Sequence, residues 1–210
     1  LIHFATSEIY GKTSAASCLL NEDETEITLG PVKASRWSYA TAKLLTERYL
    51  AGLSGLKRTI VRPFNFVGPF MDFMPGVDGE GIPRVLANFS AALLRGKPMT
   101  LVNGGCARRS FTSVHDAVDF LFALFASEPG NCLGETFNVG NGDNEVSIAE
   151  LARRMRSVYA DIRGVDVSLV PEPRAVSGEE YYGKGYEDSM RRMPDVTKAK
   201  KLLGFRATTP

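Results

Sequence analysis

The sequence predicts an α/β fold with a largely parallel sheet. Short β-rich runs alternate with helix-period segments, Gly and Pro punctuate the joints, and polar side chains gather where strands end. Leu1-Ile2-His3-Phe4 is an apolar run closed by the cluster Ala5-Thr6-Ser7-Glu8-Ile9-Tyr10-Gly11. Ligands of parallel sheets bind beyond the carboxyl ends of strands, where Thr6, Ser7, Glu8, Asn65 and Gly140 fall.

The elements follow in order. Residues 21–35 are polar, and the acidic run Glu22-Asp23-Glu24 reads as a solvated loop. From about Arg36 to Leu53, Leu44, Leu45, Tyr49 and Leu50 recur at helical spacing, with Gly55 marking the end. Arg58 to Pro63 is β-rich and stopped by Pro63, and Asn65-Phe66-Val67-Gly68-Pro69 reads as a turn. Pro83 opens an amphipathic helix to Gly96, and Met99 to Val102 is a short strand. Arg109 to Val114 is the next strand, and Asp116 sits near the start of an apolar helix to about Ala126, where an acidic group suits the dipole. Glu135 to Gly140 is a strand and turn. Ser147 caps the helix Ile148 to Ala160, with Glu150 completing a capping box. Val165, Val167 and Leu169 alternate with Asp166 and Ser168, predicting a strand. Tyr181, Tyr182 and Tyr186, interleaved with Gly183 and Gly185, read as a loop shaped around a ligand. A basic helix, Val196 to Leu203, closes the chain.

Composition narrows the function classes. With 210 residues, 44% hydrophobic and 23% charged, the chain can bury a real core. A net charge of +1 gives no bulk attraction to nucleic acid or an anionic membrane, so neither is an expected partner. Cys18, Cys106 and Cys132 are odd in number and lack CxxC spacing, which indicates neither a disulfide framework nor a zinc site. A reducing, cytoplasmic location is expected, and no apolar run has the length of a bilayer span. No G-x-G-x-x-G is present, so a dinucleotide-binding fold would have its first βαβ units upstream of residue 1.

Ser38-Tyr39-Ala40-Thr41-Ala42-Lys43 carries the chemistry. It sets a tyrosine and a lysine one helical turn apart. A free tyrosine has a pKa of about 10 and is a poor base unless a cation favours its phenolate. Lys43 can be that cation, and Thr6-Ser7-Glu8 would add hydroxyls and a carboxylate beside a reacting carbon. The set points to proton and hydride chemistry on a hydroxyl. Alone, such a pair is far more often a packed tyrosine beside a surface charge. Arg191-Arg192 would ordinarily be a solvated basic face.

The order Thr6-Ser7-Glu8-x-Tyr10-Gly11, Tyr39-x-x-x-Lys43, Arg62-Pro63-x-Asn65 and Arg109-x-Phe111-Thr112-x-Val114-x-Asp116 resembles the extended short-chain dehydrogenase/reductase superfamily of nucleotide-sugar enzymes. Gly30-Pro31-Val32, Arg36-Trp37-x-Tyr39 and Tyr181-Tyr182-Gly183-Lys184-Gly185-Tyr186-x-Asp188 are similar to its UDP-glucuronate-decarboxylating group, which includes bifunctional polymyxin-resistance enzymes. The resemblance covers Leu1 to about Phe205. It implies a Rossmann-like doubly wound parallel sheet, N-terminal βαβ units outside this chain, and a smaller α/β substrate-binding domain. Residues 1–66 and 112–142 would form the C-terminal part of the NAD-binding domain, and 67–111 and 143–210 the nucleotide-sugar domain.

The resemblance also implies NAD as cofactor and a UDP-sugar as substrate. The implied reaction is oxidative decarboxylation of UDP-glucuronate to a UDP-4-ketopentose, in a homo-oligomer. Its setting would be lipid A modification, linked to polymyxin resistance, or another glycan. Tyr39 and Lys43 would be the oxidation pair and contact the cofactor. Thr6 and Ser7 would hold the sugar, with Ser7 in the catalytic set. Glu8 would accept a proton and Arg192 donate one. Arg36, Asn65, Arg109 and Tyr186 would bind the UDP-sugar. Thr100 stands where a relative has a lysine near the uridine. The rivals are a UDP-xylose synthase, another epimerase or dehydratase of the superfamily, and a catalytically silent dinucleotide- or sugar-binding module.

Overall fold

The computed structural model describes residues 1–13 and 19–210, so Cys18 lies outside the described residues. In chain order its elements are β1 (Ile2–Phe4), α1 (Ser38–Gly52), β2 (Thr59–Pro63), β3 (Phe66–Val67), α2 (Val85–Leu94), β4 (Thr100–Val102), β5 (Arg108–Ser110), β6 (Thr112–Ser113) and α3 (Val114–Ala126). There follow α4 (Pro129–Cys132), β7 (Thr136–Val139), β8 (Glu145–Ser147), α5 (Ile148–Arg163), β9 (Arg174–Val176), α6 (Gly178–Tyr182), β10 (Arg191–Arg192) and α7 (Thr197–Leu203). They form two compact units. One holds Leu1–Phe66, Arg108–Glu145 and Glu187–Pro210, the other Val67–Ala107 and Val146–Tyr186.

In the first unit β1, β2 and β7 make a parallel sheet in the order β1-β2-β7, with His3 beside Ile60 and Val61 beside Phe137. A central parallel strand is covered on both faces, which is why Thr59, Ile60, Val61 and Arg62 are all buried. Against it Phe120 of α3 meets Phe137 at 6.0 Å and Phe205 at 5.3 Å, both edge to face. Val61, Leu124, Val139 and Ala199 complete that core. The second unit is built on Phe89 and Leu93 of α2, Met99, and Ala152 and Ala160 of α5. Its strands β4 and β9 pair in parallel, Thr100 beside Arg174 and Val102 beside Val176.

The departures from the expected elements have local causes. Val167–Leu169 is a 3-10 turn and not a strand, because the Asp166 carboxylate accepts the Ser168 N–H at 2.8 Å and folds the chain back. Pro83 lies outside α2, which starts at Val85 after Arg84 with extended ψ. Arg36 and Trp37 sit in a 3-10 turn ahead of α1, and Phe66–Val67 is a short strand in place of a turn. The strand expected over Arg109 to Val114 breaks into β5 and β6. Tyr181 and Tyr182 belong to helix α6, not to a loop.

Glu22 is the largest correction. Its residue is only 8% exposed, in a run that reads as solvated. The Glu22 carboxylate accepts the Asn138 backbone N–H at 2.7 Å, which anchors that turn to β7. Asp23, by contrast, stays outside and pairs with Lys198 at 2.6 Å. Among the described residues Cys106 and Cys132 are free thiols, and no His, Cys, Asp and Glu group has a metal-binding arrangement. No described helix is long and apolar enough to cross a membrane.

Candidate active site

The site lies in the first unit, beyond the carboxyl end of β1. Thr6 caps the 3-10 turn Ser7–Tyr10, its hydroxyl accepting the Glu8 N–H at 3.2 Å, and so the turn follows the strand at once. Gly11 ends it at φ 69°, where a Cβ would run into the Thr28 carbonyl. Only glycine suits both the dihedral and the close approach. Thr6 and Ser7 are buried, and Glu8 faces out of the turn with a quarter of its side chain exposed.

From Glu8 a line of alternating charges runs through this unit. Glu8 Oε1 lies 3.4 Å from Arg192 Nη1, and its Oε2 accepts from Arg36 Nη1 at 2.6 Å. Arg36 Nη2 lies 3.4 Å from Asp188 Oδ1, and Asp188 Oδ2 accepts from Arg109 Nη2 at 2.8 Å. The sequence is therefore cation, anion, cation, anion, cation. Burial by itself would raise the Glu8 carboxyl, but Arg192 and then Arg36 hold it below its ordinary 4.5. Asp188 is held down in the same way against burial, by Arg109, Arg192 and Arg36. Both are carboxylates at neutral pH.

Strand pairing explains why Arg192 and not Arg191 enters this line. The parallel register sets Arg191 beside Arg108 and Arg192 beside Arg109. Successive side chains of a strand point to opposite faces. On one face Glu145 takes Arg108 at 2.9 Å and Arg191 at 2.8 Å. On the other, Arg109 and Arg192 are 5% and 6% exposed and meet Asp188 and Glu8. In place of an ordinary solvated basic face, Arg191-Arg192 meets two environments, Arg191 half-buried against Glu145 and Arg192 buried against Glu8. Arg192 Nε is buried with no hydrogen-bond partner among the described residues.

Tyr39 stands in the first turn of α1, 52% exposed, with Lys43 one turn along. Lys43 Nζ donates to the Phe4 carbonyl at 2.8 Å, which ties α1 to the end of β1. The helix thus brings a half-exposed phenol and an ammonium, one turn apart, to the carboxyl end of a parallel strand, where ligands of such sheets bind. Asn65, at φ 41°, donates from Nδ2 to the Ser110 carbonyl at 2.7 Å and so holds β5 to the end of β2. Tyr186 belongs to the second unit, where it stacks on Tyr182 at 4.3 Å and covers Gly178. That unit also has a cavity of about 290 Å³ lined by Asn88, Arg95, Lys97, Thr100 and Tyr181, among others.

Three further residues of the site had no role from sequence. Asp188 bridges two arginines, Glu187 accepts from Trp37 Nε1 at 2.8 Å and Lys12 Nζ at 2.7 Å, and Glu47 pairs with Arg62 at 2.7 Å. Asp188 was within reach as the last residue of the tyrosine-glycine motif. Glu47 continues the spacing of Tyr39 and Lys43 by another helical turn, the signal that could have found it.

Parallel strands with a cluster of charged side chains past their carboxyl ends are the arrangement of a ligand-binding α/β protein. The model of the NAD dependent epimerase/dehydratase family matches residues 1–140, two thirds of the chain, and the chain belongs to that family. It is 45% identical to a UDP-D-apiose/UDP-D-xylose synthase of Oryza sativa subsp. japonica, covering all of this chain and 57% of that protein. It is 44% identical to UDP-D-apiose/UDP-D-xylose synthase 1 of Arabidopsis thaliana, covering 58% of it. The chain thus spans little more than half the length of these curated relatives. Among solved structures, PbgP3 of Burkholderia pseudomallei is similar with a TM-score of 0.81 and 29% identity, over 99% of this chain and 58% of that one. The fold is accordingly Rossmann-like.

Proposed function

We propose that the protein carries out NAD-dependent decarboxylation of UDP-glucuronate through a C4 ketone, releasing a UDP-4-ketopentose. The observation that supports this most is the charge line Arg192–Glu8–Arg36–Asp188–Arg109, a row of cations for a substrate with a carboxylate and a diphosphate. In this reading residues 1–66 and 112–142 belong to the NAD-binding domain and residues 67–111 and 143–186 to the nucleotide-sugar domain, while residues 187–210, expected in the latter, pack with the first unit. Tyr39 and Lys43 hold the cofactor's ribose, and Asn65 adds a sugar-nucleotide contact. NAD, when bound, supplies the acceptor for the C4 hydride.

Tyr39 takes the proton from the C4 hydroxyl, and the Lys43 ammonium stabilises the charge that develops. Thr6 and Ser7 hold the sugar. Once C4 is a ketone, the C5 carboxylate is β to it, so the C5–C6 electron pair left by departing CO2 moves into the carbonyl as an enolate. A guanidinium gives up its proton reluctantly, which makes Arg192 a poor proton donor. It binds the carboxylate and then stabilises the enolate. Glu8, already ionised, orders the water that delivers the proton to C5.

The names of the plant relatives favour a second reading, in which the hydride returns to the ketone and a UDP-pentose leaves. The full-length protein with NAD and UDP-glucuronate separates the two, with NADH followed by absorbance and the sugar by mass spectrometry. Stoichiometric NADH with a ketopentose nucleotide is expected. A pentose nucleotide without net NADH selects the second reading, and no loss of CO2 from either sinks both.

A further inference from the structure

Asp188 has no part in the steps above, yet it stands between two of the arginines they need. We propose that Asp188 is a positioning residue, fixing the spacing of the Arg36 and Arg109 guanidiniums so that the two cations meet a nucleotide diphosphate preformed. The inference rests on the reading of those arginines as nucleotide-sugar cations.

Each Asp188 oxygen serves a different arginine, Oδ1 at 3.4 Å from Arg36 and Oδ2 at 2.8 Å from Arg109. Its own backbone neighbour fixes the carboxylate, since Ser189 N–H donates to Oδ1 at 2.8 Å. The segment is pinned on both sides. Glu187 receives Trp37 and Lys12, Ser189 Oγ donates to the Gly11 carbonyl at 2.5 Å, and Met190 N–H donates to the Thr13 carbonyl at 2.9 Å. Gly30 makes room for this, because a Cβ there would strike Glu187 and Trp37. Arg109 is steadied from its other end, with Nη1 donating to the Arg108 carbonyl at 2.9 Å.

Charge and geometry then predict opposite results. Removing the Asp188 charge leaves these guanidiniums with one carboxylate fewer, and field strength by itself would tighten an anion. Loss of the bridge lets two long side chains regain rotamers that binding must freeze again, which weakens it. A donor pair held in a fork is worth more to a diphosphate than one loose unit of charge.

The test is calorimetric titration of UDP into the full-length protein, wild type against Asp188→Asn and Asp188→Glu. Asp188→Asn is expected to weaken UDP by about ten-fold, and to raise KM for the nucleotide sugar more than it lowers kcat. Asp188→Glu keeps the charge but moves the carboxylate by a methylene, so only partial recovery is expected. Unchanged or tighter UDP binding by Asp188→Asn overturns the proposal, as does full recovery in Asp188→Glu. If Asp188→Asn does not fold, the Asp188→Glu titration decides alone. Wild-type protein that binds UDP without converting UDP-glucuronate fails the functional reading and leaves the Asp188 result standing. Wild-type protein that does not bind UDP removes both.

Discussion

A guanidinium and an ammonium at position 192 carry the same charge but differ in shape, and that difference isolates what Arg192 does. Its side chain is 7% exposed and faces Glu8 across 3.4 Å. Lysine would keep the ion pair with Glu8 while losing the planar fork that, in the proposed reaction, grips a carboxylate and its enolate. Arg192→Lys is therefore expected to retain C4 oxidation in a single turnover and to slow CO2 release by about 10²–10³-fold, the scale of one lost anion-stabilising donor. Quenched-flow measurement of NADH and labelled CO2 from the same reaction reads both. Full retention of CO2 release would remove the clamp role. The residue types of this site were legible in the sequence, because Tyr39, Lys43 and Glu8 stand in short local motifs. The partners of the arginines were not, since Arg36 reaches Asp188 across 152 positions.

At the scale of the element, local signals were read correctly where one side chain decides the outcome. Ser147 accepts the Glu150 N–H at 3.0 Å and starts α5, as the capping pattern predicts, and Gly164 ends it in the left-handed region at φ 64°. The carboxylate of Glu150 turns the other way, accepting from Arg154 Nε at 3.1 Å. Ser147→Ala is expected to cost about 1 kcal/mol, measured from the urea midpoint with an unchanged m-value. A loss below about 0.3 kcal/mol would show that the cap is redundant. Gly11 is a stricter case, with φ 69° and the Thr28 carbonyl on the Cβ position. Gly11→Ala should lose about 1–3 kcal/mol, and a midpoint equal to wild type would contradict the geometry. Alternation failed over Val165 to Val170 because Asp166 supplies its own turn, a competition that period counting does not see.

Across the whole chain, buried charge is the feature that sequence reading leaves unseen and that shapes the response to pH. Arg62 is held by Glu47 through two bonds, Nε at 3.1 Å and Nη2 at 2.7 Å, and its Nη1 donates to Tyr10 Oη at 2.8 Å and to the Glu22 carbonyl at 3.1 Å. Tyr10 in turn donates to Asn138, and burial pushes its phenol up to about 12. The network joins the helix of Tyr39 to the turn of Glu8. Glu22 sits at its edge with Oε2 buried and unpartnered among the described residues. Burial raises its carboxyl and Asp195 adds to that, against the Asn138 N–H and Lys198. Glu8 and Asp188 shift the other way, so their stabilisation is present above their unfolded values and is lost as pH falls through the folded ones. For Glu22 the sign reverses. The folded state holds its proton more tightly than the unfolded chain, so stability drains away as pH rises from 4.5 through the raised value. Glu22→Gln removes that drain while keeping an acceptor for Asn138. Its effect on Tm, relative to wild type, should therefore be more favourable at pH 8 than at pH 4, whatever the buried amide costs at both. A shift that is the same at the two pH values would mean that Glu22 titrates no differently folded than unfolded, and that the Asn138 N–H and Lys198 fully offset its burial.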